Sequence, residues 1–152
     1  MAYLRNKEVT KFLNFTNVVS QEDIPKYSRD YVFDDEYILA SYQTSRDYGI
    51  FTDSKVVLFD NSYTFGTAKQ VFVVPYEKFT GVAIIFKFSG AELNCLLDGG
   101  NQLRLKFLRM SNIDKLRLRL LYSHIIRMVN KQKPDNNIMQ QLINNDIKFK
   151  EN

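Results

Sequence analysis

The chain has 152 residues, a formal net charge of +4 and an apolar share of 45%. A chain of this length can form one domain with a substantial core. No apolar run approaches the roughly 20 residues that a membrane-spanning helix needs, and the charged N-terminus lacks the apolar stretch of a signal peptide. The single cysteine, Cys95, excludes an internal disulfide and is typical of a reducing compartment. We therefore expect a cytoplasmic protein.

The positive charge is concentrated in one segment. Residues 1–100 contain ten Lys and Arg against thirteen Asp and Glu, whereas residues 101–133 contain nine bases against a single acid, Asp114. The residues from Pro134 onward contain two bases and three acids. An electrostatic function should therefore be sought in the segment 101–133.

Residues 1–33 are predicted to form an N-terminal extension with one short amphipathic helix. Apolar residues recur at roughly helical spacing between positions 4 and 16, namely Leu4, Val9, Phe12, Leu13 and Phe15. Such a helix could dock on the chain's own core or on a partner, so Phe12 and Phe15 are possible partner or oligomer contacts. The acidic triplet 34–36 is adjacent on a loop and does not converge on one point, so no metal site is expected there.

From residue 37 the pattern changes to short apolar runs that end at Asp, Asn, Gly or Pro, which indicates consecutive antiparallel strands. We predict seven strands, at residues 37–43, 48–52, 55–60, 69–74, 80–88, 92–97 and 101–109. The last strand alternates between apolar and basic residues, so one of its faces is buried and the other is solvated. The solvated face carries Arg104 and Lys106.

One long helix follows the strands. Ser111 and Asp114 have the spacing of a capping box, and apolar residues form a broad face over about five turns. Pro134 ends the helix, because proline cannot continue one. The tail, residues 133–152, has apolar residues at helical spacing that predict a weaker second helix. Its Ile138 and Leu142 are also possible partner or oligomer contacts.

This order of seven antiparallel strands and one amphipathic helix resembles a pleckstrin-homology-like (PH-like) domain. Short motifs between residues 33 and 130 are similar to those of the bacterial family of this fold. They are an Arg-Asp turn that ends at a Thr, a Gly before the fourth strand, a Val-Pro-Tyr segment and a Glu-Leu pair, found here at Arg46, Asp47, Thr52, Gly66, Val74, Pro75, Tyr76, Phe79, Glu92 and Leu93. The chain departs from the family where Ser54 and Lys55 replace a common Lys-Arg pair.

The resemblance implies an α+β, mainly β fold over residues 34–132: a bent, seven-stranded antiparallel sheet or barrel, capped by the long C-terminal helix. It also implies a non-enzymatic interaction module, and several family members assemble as ring- or dome-shaped homo-oligomers. No cofactor and no small-molecule substrate comes with it. Eukaryotic PH domains bind inositol phosphates through a basic loop between the first two strands. That loop has a single arginine here, Arg46 next to Asp47, so phosphoinositide binding is not expected.

No set of residues points to catalysis. His124 is the only histidine and lies beside the apolar face of the long helix, while Cys95 alternates within a strand, so both are interpreted as structural. The sequence contains no Walker loop, no G-x-G-x-x-G and no G-x-S-x-G motif. We therefore predict no enzyme activity, no catalytic residue and no bound metal.

Three functions remain open. The first is an interaction module that self-associates or binds another protein, for example an inhibitor or adaptor encoded by a mobile element. The second is nucleic-acid binding through residues 104–133, although the aromatic residues there form no stacking platform. The third is attachment to an anionic membrane through the same basic surface, for which the sequence identifies no apolar anchor. The candidate basic residues are Arg104, Lys106, Lys115, Arg117, Arg119 and Arg127.

Overall fold

The structure, a computed structural model, describes residues 11–44, 48–60 and 70–147. These residues form nine strands: β1 (Lys11–Phe15), β2 (Asn17–Val18), β3 (Ile38–Gln43), β4 (Tyr48–Thr52), β5 (Lys55–Asp60), β6 (Gln70–Pro75), β7 (Phe79–Phe86), β8 (Ala91–Leu97) and β9 (Gln102–Phe107). They also form three α-helices: α1 (Lys26–Arg29), α2 (Asn112–Val129) and α3 (Asn136–Ile143). The seven predicted strands correspond to β3 to β9, and their ends differ by two residues at most.

The strands form two sheets that share one core. The first sheet has the order β1-β9-β8-β7 and the second has the order β2-β3-β4-β5-β6. The chain passes from β6 to β7 through Pro75 and a 3-10 turn at Tyr76–Lys78, and these two strands belong to different sheets. The barrel form of the predicted fold is therefore wrong, because the two sheets do not close on each other.

An extended N-terminal segment, residues 11–18, joins the two sheets at one corner. β1 pairs in parallel with β9, and β2 pairs antiparallel with β3. Between them, the Thr16 amide donates to the Gln43 carbonyl at 3.0 Å. The predicted helix at residues 4–16 is therefore wrong over residues 11–16, because pairing with β9 satisfies this backbone better than an isolated short helix would. Residues 1–10 lie outside the described part of the chain.

Aromatic rings fill the space between the two sheets, and α2 closes it. Phe15, Tyr42 and Phe107 contact one another with ring centroids 4.8 to 5.9 Å apart. Leu118 and Leu121 of α2 are fully buried against this cluster. The width of the apolar face of α2 follows from this position, since the helix must cover the open side of both sheets.

A second, smaller core lies on the outer face of the second sheet. There Tyr27 and Tyr31 contact Phe59 edge-on, with ring centroids 5.7 and 5.4 Å away. The buried members of this core are Val19, Ile24, Tyr48, Ile50, Val57 and Phe59. The segment that follows β2 thus covers a sheet face that would otherwise be exposed.

Both predicted C-terminal helices are present. Ser111 Oγ accepts a hydrogen bond from the Asp114 amide at 3.2 Å at the start of α2, as the capping spacing predicted. The Asp135 carboxylate caps α3 in the same way, and Met139 and Leu142 pack on the main core. Among the described helices, none is both long and apolar enough to cross a membrane.

A buried carboxylate orders the turn between β4 and β5. Glu36 accepts hydrogen bonds from the Thr52 and Ser54 hydroxyls at 2.8 and 2.7 Å and forms an ion pair with Lys55 at 2.7 Å. Burial alone would raise the pKa of Glu36, but Lys55, the Phe33 amide and the two hydroxyls outweigh it and lower the pKa from 4.5 to about 2. One member of the acidic triplet is therefore a structural anion.

α2 fastens the same turn through a histidine. His124 Nε2 lies 2.7 Å from the Asp53 carbonyl oxygen, and the Tyr76 hydroxyl donates to the Thr52 carbonyl at 2.7 Å. Burial lowers the pKa of His124 below its usual 6.5, although the bond to Asp53 opposes this. The neutral ring is therefore favoured, with its Nε2 proton directed at the carbonyl. Both His124 and Cys95 are buried, as their positions in the sequence suggested.

The Glu36→Gln substitution tests the role of this anion. It leaves Lys55 buried without its counter-ion, and we expect the free energy of unfolding at neutral pH to fall by about 3 kcal/mol. Because the folded-state pKa lies below the unfolded value, the contribution of Glu36 is present above pH 4.5 and is lost as the pH falls toward about 2. Urea titrations of both proteins should therefore converge as the pH is lowered. A difference that does not depend on pH would contradict this role.

Candidate interaction surface

A second buried carboxylate, on the outer face of the first sheet, is surrounded by basic side chains. Glu92 is 3% exposed at its side chain and accepts hydrogen bonds from Arg104 Nη2 at 2.8 Å and Lys87 Nζ at 3.2 Å. Lys106 lies directly opposite Glu92 in the pairing of β8 with β9. Burial would raise the pKa of Glu92, but Arg104 and Lys87 reverse this and lower it. Three cations thus surround one anion, and the group has a net positive charge.

The turn between β7 and β8 lies beside this cluster. The Lys87 amide donates to the Gly90 carbonyl at 2.8 Å, so residues 87–90 form a tight hairpin turn. Gly90 is required because a Cβ there would lie 2.2 Å from the Phe107 carbonyl oxygen. Phe88 is at the tip and is 102% exposed, as much as in an extended chain. Phe86 and Leu108, on either side of the turn, are also exposed.

The sequence-based prediction placed this turn too late in the chain. It continued the strand to Phe88, whereas β7 ends at Phe86. The pair Ser89-Gly90 is the signal that could have located the turn. Phe88 is therefore a solvent-exposed tip residue rather than part of a strand.

β7 is an edge strand of the first sheet. It pairs with β8 on one side, and no other strand of the described residues pairs with its opposite side. The Tyr122 hydroxyl of α2 donates to the Val82 carbonyl at 3.2 Å, so the peptide groups of Val82 point away from β8. Those of Ile84 and Phe86 point the same way, because the direction alternates along an antiparallel strand.

This edge lacks the features that usually prevent association. Its sequence, FTGVAIIF, contains no charged residue and no proline over eight residues, whereas edge strands are commonly short or carry Lys, Pro or a bulge. Its one irregularity lies at the far end, between Phe79 and Gly81. Ile85 is 42% exposed. Residues 84–86 therefore form an uncharged stretch of sheet edge with an exposed apolar side chain.

The six candidate basic residues divide into two groups. Arg104, Lys106 and Lys115 lie around the β7–β8 turn, where Lys115 Nζ donates to the Lys87 and Phe88 carbonyls at 3.0 Å each. The other three are not brought to this surface.

Each member of the second group has a contact within the chain. Arg117 pairs with Asp114 at 2.5 Å and donates to the Asn145 side chain after α3. Arg119 donates to the Ser123 hydroxyl. Arg127 Nε donates to the Lys133 carbonyl at 2.7 Å beyond the end of α2. A sequence alone shows the spacing of these bases but not the acceptors that other segments provide.

The residues considered as partner contacts have other surroundings. Phe15 is 1% exposed and Leu142 3% exposed, both inside the chain's own core. Ile138 is partly buried against the same core. The Phe12 side chain lies outside the described part of the structure. The described members of this set therefore serve packing within the chain.

The motifs behind the family resemblance have structural roles where they are described. Thr52 and Glu92 hold the two polar clusters, Leu93 is buried in the core, and Pro75 and Tyr76 turn the chain from one sheet to the other. The motif positions Arg46, Asp47 and Gly66 lie outside the described residues. Pro75 and Tyr76 also line a pocket of about 460 Å³.

Comparison with solved structures finds the same fold. A DUF1696 family protein with a pleckstrin-homology domain from Shewanella loihica PV-4 has a TM-score of 0.60 at 19% identity and covers 74% of this chain and 95% of its own. A PH-domain-containing protein from Exiguobacterium sibiricum 255-15 has a TM-score of 0.60 at 18% identity, covering 78% and 63%. A pleckstrin homology domain from Shewanella amazonensis SB2B has a TM-score of 0.53 at 18% identity, covering 73% and 89%.

One of the two sequence comparisons gives a match. No curated protein matches the chain. The family model described as "Bacterial PH domain" matches residues 9–125, a range that includes the segment joining the two sheets. The predicted PH-like fold is confirmed. The chain belongs to the bacterial PH domain family.

Proposed function

We propose that the chain is a non-catalytic interaction module that binds an extended protein segment at the free edge of β7. The segment is supplied in the first instance by a second copy of the chain, and an adaptor or inhibitor role toward another cytoplasmic protein would use the same edge. PH-like domains commonly mediate interactions and are generally non-catalytic, which supports this class of function. The observation that carries the proposal is the uncharged edge at residues 84–86, with which none of the described strands pairs on the side away from β8.

Pairing at this edge has a simple physical basis. The outward peptide groups of Ile84 and Phe86 would gain ladder hydrogen bonds, and the exposed Ile85 side chain would be covered by a neighbour. With a second copy in antiparallel orientation the contact is self-complementary, so that one twofold axis relates the two chains. Two four-stranded sheets would then become one continuous sheet.

A charge placed on the edge tests the proposal. In an antiparallel pair related by a twofold axis, Ile85→Lys puts like charges close together across the new ladder, which disfavours the pairing. We expect the weight-average mass in sedimentation equilibrium to rise with concentration for the wild type, and to stay at the monomer value for Ile85→Lys.

Leu96→Lys is the matched control. Leu96 is on the same outer face and is 44% exposed, close to the 42% of Ile85, but it lies on β8, which has neighbours on both sides. It should leave self-association unchanged. Equal loss in both variants would indicate face-to-face packing of sheets instead, and a wild type that stays monomeric at every concentration would contradict self-association.

A further inference from the structure

We propose that the turn between β7 and β8 is a membrane-docking tip that inserts Phe88 into the surface of an anionic lipid bilayer. The tip is defined here as residues 87–90. Eukaryotic PH domains bind lipid headgroups at the loop that corresponds to the β3–β4 loop of this chain. The mode proposed here uses the β7–β8 turn instead, and it requires no headgroup pocket. It does not require pairing along the β7 edge.

Phe88 has no role in the fold that explains its presence. Its side chain is fully exposed and contributes nothing to the core. The tip of a tight hairpin favours Gly, Asn, Asp or Ser for backbone reasons, and none of these reasons applies to Phe. Aromatic side chains are, in contrast, well suited to the boundary between lipid headgroups and acyl chains. The exposed Phe86 and Leu108 extend the apolar character of the tip to both sides.

The carbonyl groups of the tip are already satisfied within the chain. All four carbonyl oxygens of residues 87–90 accept hydrogen bonds from within the chain. Those of Lys87 and Phe88 accept from Lys115 Nζ at 3.0 Å each, that of Ser89 accepts from the Met110 amide at 2.8 Å, and that of Gly90 accepts from the Lys87 amide at 2.8 Å. Unpaired carbonyls are costly to move out of water. These four carbonyl oxygens keep their hydrogen bonds when the tip leaves water, so their transfer carries no such cost.

Basic residues surround the apolar tip. The cations are Lys87, Arg104, Lys106, Arg109 and Lys115. Two acids described near the tip are neutralised, since Glu92 is buried between Lys87 and Arg104, and Asp114 is paired with Arg117. A positive ring around an apolar point is complementary to an anionic bilayer, whose charge lies above its hydrocarbon layer.

The shape of the tip favours a membrane over a macromolecular partner. A specific protein interface covers about 800 Å² on each side, which one turn with a single protruding ring does not offer. Nucleic-acid binding without sequence preference uses several aromatic faces along a groove. A bilayer requires only a short apolar projection with cations at headgroup depth.

Sedimentation with lipid vesicles tests the proposal on the full chain. At low salt we expect binding to vesicles of phosphatidylcholine mixed with phosphatidylglycerol, and no measurable binding to phosphatidylcholine alone. Phe88→Ser should weaken binding about tenfold while the thermal midpoint and the oligomeric state stay unchanged, because the ring is fully exposed. Tyr37→Ser, which removes another exposed ring just before β3, should leave binding unchanged.

A matched pair of charge variants distinguishes attraction by cations near the tip from attraction by the net charge of the chain. Arg109 and Lys131 are both exposed cations with a positive φ, 56° and 57°, at opposite ends of α2. Asn tolerates that backbone conformation, so both substitutions to Asn should fold. Arg109→Asn should weaken vesicle binding about fivefold, and Lys131→Asn should have no effect.

Three results would overturn the proposal. The first is no binding to the anionic vesicles at low salt. The second is equal loss of binding in Arg109→Asn and Lys131→Asn, which would indicate attraction by net charge alone. The third is binding to DNA or RNA that Arg109→Asn weakens while the vesicles remain unbound, which would assign the tip to nucleic acid.

Discussion

The structure depends on one extended segment that hydrogen-bonds to both sheets in turn. Residues 11–18 pair first with β9 and then with β3, so they fix one corner of the sheet pair. On the other side the chain crosses from β6 to β7 without pairing, and α2 fills the gap between the sheets. α2 bonds to β7 at Val82. Within the described part of the chain, the portion of β7 beyond that contact is left with an open edge as a consequence.

Some charged residues of the chain stabilise the fold, and others lie at the proposed binding surfaces. Glu36 and Glu92 are buried anions, and each is stabilised by cations and hydrogen bonds that would be lost on unfolding. Around Glu92 lie Lys87, Arg104 and Lys106, and Lys87 is adjacent to Phe88 in the turn. The free edge and the tip are thus neighbours on one hairpin, and a self-associated form would present more than one tip to a flat surface.

Much of this fold could be predicted from local sequence signals, and the rest could not. The strands β3 to β9 and the cap of α2 depend on alternation, turn residues and the Ser111–Asp114 spacing, all of which are local. β1 depends on a partner strand far along the chain, and its apolar spacing fits a helix equally well. The contacts of Arg117 and Arg127 could not be predicted, because their hydrogen-bond acceptors lie in other segments of the chain. Phe88 was assigned to a strand because its apolar character extended the predicted strand two residues beyond the end of β7.

The central claim is that the β7 edge is a pairing site, and amide hydrogen exchange measures this most directly. The amides of Ile84 and Phe86 point away from β8, whereas that of Ile85 belongs to the ladder with β8 and is an internal reference. We predict that exchange at Ile84 and Phe86 slows as protein concentration rises, while Ile85 stays protected throughout. Fast exchange at Ile84 and Phe86 at every concentration would contradict pairing between copies at this edge.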